Sequence, residues 1–329
     1  MVGIVPPGGA SLVYTRAAMD GRTPPPARVI ALMNQKGGVG KTTTTVNLAA
    51  ALAEAGRSAL VLDLDPQAHA TLHLGETPGQ SETTGTVYDM LLDAEVDPRA
   101  CIRPVGENLW LGASETDLAA AEAELADKDG RHSRLRGAIE RLDGAHEFVL
   151  IDCPPSLGLL TMNGLVAARE VIIPMQAHFL ALQGVGKLLE TIQLVREQLN
   201  PQLTVAGIVL CMHDGQTTHA QEVVADLEAF FEESRGSGKP WSDAKVYAPP
   251  VRRNIKLAEC PSFGQTIFQY APWAPGAIDY RKLAANVIEE WDAQKRVGGT
   301  DLSEAEITVL RGGGLRAPDA APPETGRSA

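Results

Sequence analysis

Val29-Ile30-Ala31-Leu32-Met33 runs directly into Asn34-Gln35-Lys36-Gly37-Gly38-Val39-Gly40-Lys41-Thr42-Thr43. An Ala-, Leu- and Val-rich stretch follows and continues to Ala55, where Gly56 interrupts it. The first run has the length and apolarity of a buried strand, and Thr42–Ala55 reads as a helix closed by Gly56. Between them lies a glycine loop that ends in Gly-Lys-Thr-Thr, the strand–loop–helix setting in which such a loop cradles phosphates. Glycines let the backbone bend so that successive N–H groups converge on anionic oxygens, and the helix N-terminus adds partial positive charge. In this arrangement the backbone of Lys36, Gly37, Gly38, Val39, Gly40, Lys41, Thr42 and Thr43 forms the cradle for ATP. Lys41 is the side chain that reaches the β- and γ-phosphates, and Thr42 supplies a hydroxyl for Mg²⁺.

Outward from this loop, apolar runs and helical patterns alternate. Short strand-like runs lie at Ser58–Leu64, Phe148–Ile151, Val171–Pro174 and Val205–Leu210. Helical patterns lie near Val87–Leu92, at Glu115–Ala126, Arg134–Leu142, Leu182–Leu199, His219–Phe231 and Asp279–Trp291. The interval 76–108 is less regular apart from the helix near Val87. The alternation predicts an α/β fold: a doubly wound, mostly parallel sheet flanked by helices. Residues 1–27, rich in Pro and Gly, read as a disordered leader, and Met19 is an alternative start. Residues 28–293 form the ATPase domain. Residues 294–329 read as a mostly disordered tail in which Leu302–Leu310 could form a short helix.

The 329 residues carry a formal net charge of -12 and are 44% hydrophobic. Bulk charge therefore excludes a generally basic nucleic-acid binder, and any such contact must be local. No stretch approaches the ~18 consecutive apolar residues of a membrane span, and the N-terminus lacks the pattern of a secretory signal. The four cysteines are far apart with no Cys-x-x-Cys, which suggests reduced thiols in the cytoplasm.

In the loop, the usual first glycine of the motif would fall at Asn34-Gln35, and Lys36 follows at once. This stretch resembles the deviant Walker A loop of the ParA/MinD ATPases. The resemblance continues at Leu62-Asp63-Leu64-Asp65-Pro66-Gln67, at Ile151-Asp152-Cys153-Pro154-Pro155-Ser156 and along Arg253–Gly264, and it spans roughly Arg28–Trp291. The last block points to the ParA (Soj-like) branch, the chromosome and plasmid partition ATPases. The resemblance implies a slow, partner-stimulated ATPase with catalytic residues Lys36, Lys41 and Asp65. Lys36 would cross a dimer interface to the partner's phosphates, so that ATP holds a homodimer together; spacing alone would leave it a solvated loop lysine. Asp65 would position the attacking water, with Asp63 either facing Mg²⁺ or capping its strand. Asp152, at the end of an apolar strand, would hold the Mg²⁺ shell with Thr42. Met212 and Pro249 would flank the adenine.

The resemblance further implies nonspecific DNA binding by the ATP-bound dimer through Arg252, Arg253 and Lys256. It also implies a ParB-like centromere-binding protein or cargo adaptor as partner, and a nucleoid-associated location in the cytoplasm. Two departures stand out. Relatives have Gln-Gly-Asn-Ala-Thr where this chain has Gln67-Ala68-His69-Ala70-Thr71, and they often have Arg in the Met212–Thr218 loop where this chain has Gln216. His69 and His73 share a helical spacing but suggest no third metal ligand, so they read as polar surface residues. The tail is poor material for a membrane-binding amphipathic helix. Alternatives are an orphan relative that positions a protein cargo, and an iron–sulfur protein of the nitrogenase iron-protein type, which needs two cluster cysteines, whereas Cys153 and Cys260 each sit beside proline in a motif that does not require metal.

Overall fold

The computed structural model describes residues 27–79, 84–177, 179–215 and 218–312; at 178–183, 219 and 297–312 no side chain is described. The chain divides into an α/β body that ends at Asn286 and a C-terminal unit from Val287 onward.

Eight strands form one sheet: β1 (Arg28–Leu32), β2 (Ala59–Asp63), β3 (Ile102–Gly106), β4 (Leu109–Gly112), β5 (Phe148–Asp152), β6 (Glu170–Met175), β7 (Thr204–Leu210) and β8 (Lys245–Val246). Their spatial order is β3-β4-β2-β5-β1-β6-β7-β8, and all pairings are parallel except β3 with β4. Every residue of β1, β2, β5 and β6 is buried. This is the signature of central parallel strands covered on both faces, and it explains why they read as unbroken apolar runs. Each Ile, Leu or Val so enclosed contributes about 1.5–3 kcal/mol. The one charged residue that begins β1, Arg28, is buried against Glu170 of β6 at 2.6 Å, so the charge has a partner.

The helices are α1 (Lys41–Glu54), α2 (His69–His73), α3 (Val87–Leu92), α4 (Leu118–Leu125), α5 (Arg134–Arg141), α6 (Leu159–Ala167), α7 (Phe179–Gln198), α8 (Thr218–Glu233), α9 (Ile255–Glu259), α10 (Ile267–Tyr270) and α11 (Pro275–Gly312). Helices α1, α3, α4, α5, α7 and α8 match predicted patterns with ends displaced by a few residues, whereas α2, α6, α9 and α10 fall where no helix is predicted. Two further features differ from expectation. The irregular interval before residue 112 contains the β3–β4 hairpin, whose four- and five-residue strands are too short to show a period. The last helix continues to Gly312, past the boundary expected at residue 293 and through Leu302–Leu310. Its Ala, Glu, Lys and Arg content sustains helix despite Gly298-Gly299. Of the expected leader, 1–27, residues 1–26 lie outside the described residues.

The topology positions the site. β5 lies between β2 and β1, in a register that pairs Asp152 with both Asp63 and Leu32. The carboxyl ends of three strands therefore converge where the connections from the adjacent strands β1 and β5 leave in opposite directions, to β2 and to β6, the crevice where doubly wound sheets bind ligands.

Candidate nucleotide site

The loop after β1 is bent at Gly38 and Gly40, both left-handed at φ 72° and 97°. At Gly40 a side chain is excluded twice, by φ and because a Cβ would lie 3.1 Å from Cys211. A Cβ at Gly37 or Gly38 would meet nothing within 4 Å, so this stretch of backbone borders open space. Two side chains tie the loop to neighbouring elements. Asn34 donates to the Pro174 carbonyl at 2.8 Å and accepts from the Lys36 amide at 3.0 Å. Gln176 donates to the Gly38 carbonyl at 3.2 Å.

Lys41 opens α1 and is only 8% exposed. Its ammonium donates to the Lys36 carbonyl at 3.3 Å. Burial lowers its pKa, and the Asp152 and Asp65 carboxylates oppose that shift. A buried ammonium with one carbonyl contact is well suited to bind an anion.

Asp152 ends β5 and is fully buried. It accepts from the Thr42 hydroxyl at 2.7 Å and the Thr45 hydroxyl at 2.8 Å. Burial pushes its pKa up to about 6, although both hydroxyls favour the ionised form. Thr45, which also donates to the Lys41 carbonyl at 3.0 Å, is part of this arrangement. The sequence signal was available: four consecutive threonines place the last one a turn from Lys41 on the same face. Among the described residues no three His, Cys, Asp or Glu side chains cluster as metal ligands. One carboxylate beside one hydroxyl is nonetheless the hard-oxygen set that Mg²⁺ uses when phosphates complete its shell, and a divalent cation would compensate the buried Asp152 charge. The residues thus fit Mg²⁺.

The two aspartates after β2 have different surroundings. Asp63 is fully buried and uses both oxygens on the loop that follows. One accepts from the Asp65 amide at 3.1 Å; the other accepts from the amide and the hydroxyl of Thr71, each at 2.8 Å. Of the two roles open to it, Asp63 takes the strand cap. Burial and the nearby Asp152 charge push its pKa up to about 8. Asp65 is held by its own backbone, whose carbonyl accepts from Ser114 at 2.7 Å, while its carboxylate accepts from the Gln67 amide at 3.0 Å. The Thr71 hydroxyl in turn accepts from the Ser114 amide at 2.9 Å.

A cleft of about 850 Å³ runs over these groups. Its walls include Gly37, Gly38, Gly40, Lys41, Thr42 and Thr43 on one side and Asp65, Gln67 and His69 on another, with Met212, Pro154, Pro155, Pro261 and Ser262 beyond. Val39 is buried behind the loop. Pro249 does not line the cleft. Lys36 lies outside the cleft, is exposed, and among the described residues its ammonium has no hydrogen-bond or ion-pair partner.

In the basic block, two of the three cations have carboxylate partners. Arg252 forms an ion pair with the buried Asp279 at 2.7 Å, and its amide donates to the same carboxylate at 3.1 Å. Lys256 pairs with Glu259 at 2.7 Å. Arg253 alone among the three has no side-chain partner among the described residues. Gln216 lies outside the described residues. His69 is exposed as expected, but His73 is buried, with its Nε2 3.4 Å from the Cys260 thiol. Burial lowers its pKa to about 4. The reason is that α2 docks on the segment around Gly264, where a Cβ would lie 2.7 Å from Gly75. Burial raises the pKa of both Cys153 and Cys260.

A glycine bend between central strand and helix, a buried lysine and a hydroxyl–carboxylate pair define a P-loop nucleotide-binding protein, of the class with an additional lysine ahead of the glycines. The AAA domain family profile matches residues 27–205. The chromosome-partitioning ATPase Soj of Thermus thermophilus is 45% identical over 79% of this chain and 95% of its own length. The chromosome partitioning protein ParA of Myxococcus xanthus is 40% identical over 80% and 88%. A solved structure described as cobyrinic acid a,c-diamide synthase from Mycobacterium smegmatis, with bound ADP and magnesium, is 38% identical. It covers 82% of this chain and 96% of its own, with a TM-score of 0.68. The chain belongs to the ParA/Soj family of chromosome-partitioning ATPases.

Proposed function

We propose that the protein is an ATP-dependent switch: it binds ATP with Mg²⁺ at Lys36–Thr43, dimerises around the nucleotide, and binds DNA nonspecifically until hydrolysis releases it. The observation that carries this reading is that Lys41, Thr42 and Asp65 line one cleft, with Asp152 buried behind Thr42, while Lys36 lies outside it with no partner for its ammonium among the described residues. Bound Mg²⁺ would neutralise phosphate charge beside Thr42 and Asp152. The loop amides and Lys41 bind and orient the triphosphate; their contact strengthens as charge builds on the transferred phosphoryl group. Asp65 accepts a hydrogen bond from the attacking water and sets its direction. Lys36 reaches the phosphates of the partner subunit, which makes nucleotide occupancy and association reciprocal.

The family relationship supports a role in chromosome or plasmid partition with a ParB-like partner that stimulates hydrolysis. It likewise supports a nucleoid-associated, cytoplasmic location. No described helix is long and apolar enough to cross a membrane. Met212, which lines the cleft, is the better supported of the two adenine contacts. Arg253 is the best supported residue of the basic block for a DNA contact.

Co-sedimentation of the purified protein with DNA tests the proposal. We expect binding with ATP and Mg²⁺, little with ADP, and none without nucleotide. Equal binding in all three states would overturn the switch, as would a protein that stays monomeric when saturated with a non-hydrolysable analogue.

A further inference from the structure

Nonspecific DNA binding needs cations whose charge is not already cancelled. In the block around Arg252, carboxylates cancel two of the three. A different segment keeps its charge. Residues 128–141 carry five Lys and Arg against two acids, in a chain whose net charge is -12. Among the described residues none of these five forms an ion pair. Their hydrogen bonds go to backbone carbonyls, Lys128 to Leu92 at 3.5 Å, Arg134 to Asp129 at 3.2 Å, Arg136 to Val166 at 2.8 Å, Arg131 to Ala126 and Arg141 to Ala94, with one further bond from Arg131 to the His132 ring at 3.3 Å. Several of these carbonyls end helices, whose partial negative charge offsets only a fraction of a full cation each.

The same segment forms a cavity of about 370 Å³, lined by Lys128, Arg131, His132, Ser133 and Arg136 together with Asp129 and the ends of α6 and α7. It shares no lining residue with the nucleotide cleft. One polar atom there, Nδ1 of His132, is shielded from solvent without a hydrogen-bond partner, while the Nε2 of the same ring accepts from Arg131 at 3.3 Å. Ser133, which precedes α5, does not cap it; its hydroxyl donates to the Gly130 carbonyl at 3.0 Å. The cavity therefore combines cations without ion-pair partners among the described residues, one unused ring nitrogen and an uncapped helix start.

We propose that this cavity is a phosphate-binding site that takes the diester backbone of DNA. The inference rests on the DNA-binding reading above and assigns it a surface. Lys128 and Arg131, both exposed, are the contacting cations; Arg136 positions the end of α6. Phosphate contacts of this kind hold the duplex without reading its sequence.

The test uses the full chain with ATP and Mg²⁺, and measures DNA affinity across salt concentrations. Lys128→Gln with Arg131→Gln should make the dependence of log K on log salt shallower by about 1.8, at about 0.9 for each phosphate that is no longer neutralised. Each single substitution should account for about half. Nucleotide affinity and the thermal midpoint serve as controls and should stay near the parent values. An unchanged slope in a variant that folds and binds ATP would overturn the site while leaving the switch intact. A parent protein that binds no DNA in any nucleotide state would overturn both. Binding of free inorganic phosphate at this cavity, with DNA affinity unaffected by the substitutions, would also refute it.

Discussion

Thr71→Val removes one hydroxyl and almost no volume, which makes it a clean test of the network that holds the loop after β2. That hydroxyl donates to Asp63 at 2.8 Å and accepts from the Ser114 amide at 2.9 Å, in a position 1% exposed to solvent. Losing an ordinary buried hydrogen bond costs about 1 kcal/mol, and leaving a buried amide unsatisfied costs about 2 kcal/mol more. The expected loss at neutral pH is therefore about 3 kcal/mol. For a body of this size that is a fall of roughly 6–12 °C in thermal midpoint. The loss should grow with pH. Asp63 has a pKa of about 8, and the Thr71 hydroxyl favours its ionised form. Above that pH the bond is charge-assisted, and such bonds contribute about 1.5–3 kcal/mol. Urea titrations of the nucleotide-free protein at pH 7 and pH 9 measure both quantities, with Thr71→Ser as the control that keeps the hydroxyl. If Thr71→Val lay within about 1 kcal/mol of the parent at both pH values, Asp63 would not be anchoring this loop. Steady-state turnover provides a second readout, because the Asp65 amide hangs on the same carboxylate.

Four further expectations are specific. Lys41→Ala should abolish ATP binding, measured by calorimetry; unchanged affinity would remove Lys41 from the cradle. Asp65→Ala should bind ATP normally and accumulate as a nucleotide-bound dimer that does not turn over, which gel filtration and phosphate release would detect. In the nucleotide-free protein, the raised pKa values of Asp152 and Asp63 stabilise the fold at low pH. That contribution is fully present below the ordinary carboxylate pKa and is lost as pH rises through about 6 and about 8. The midpoint should therefore fall between about pH 5 and about pH 8 and level off above, and Mg²⁺ with ATP should flatten the decline. Arg252→Gln should destabilise by roughly 1–2 kcal/mol, below the usual cost of breaking a buried pair because half of Arg252 faces water; denaturation with no loss would mean that Asp279 does not need it.

What the sequence made legible follows the range of the interactions. The phosphate loop was readable because its elements are consecutive: strand, bend and helix occupy Arg28–Glu54, and the glycines are dictated by local backbone geometry. The central strands were readable because burial on both faces leaves no polar alternation. The β3–β4 hairpin was not, since four residues of β4 carry too little pattern. Side chains satisfied by distant partners were also hidden. Arg252 reads as a free cation until Asp279 is found beside it, and His73 reads as a surface residue until the segment at Cys260–Gly264 covers it. Local sequence reports charge, but only the fold reports whether that charge has been cancelled.

The three aspartates of the site show the same logic at closer range. Asp63, Asp65 and Asp152 all sit at or just past strand ends, and as residue types they are interchangeable. Their donors separate them. Among the described residues the donors to Asp63 are the amides and hydroxyl of its own loop, so it fixes where that loop lies. Asp152 faces two threonine hydroxyls and a buried lysine, and its carboxylate remains short of positive charge, the condition that makes it receptive to a divalent cation. Asp65 alone lines the cleft, with its backbone secured by Ser114 and its carboxylate held only by the Gln67 amide. The role proposed for Asp65, acting on a water beside a changing nucleotide, needs that combination, a fixed main chain and an incompletely engaged side chain. Substitution of the other two should alter loop stability or metal affinity before it alters the chemistry itself.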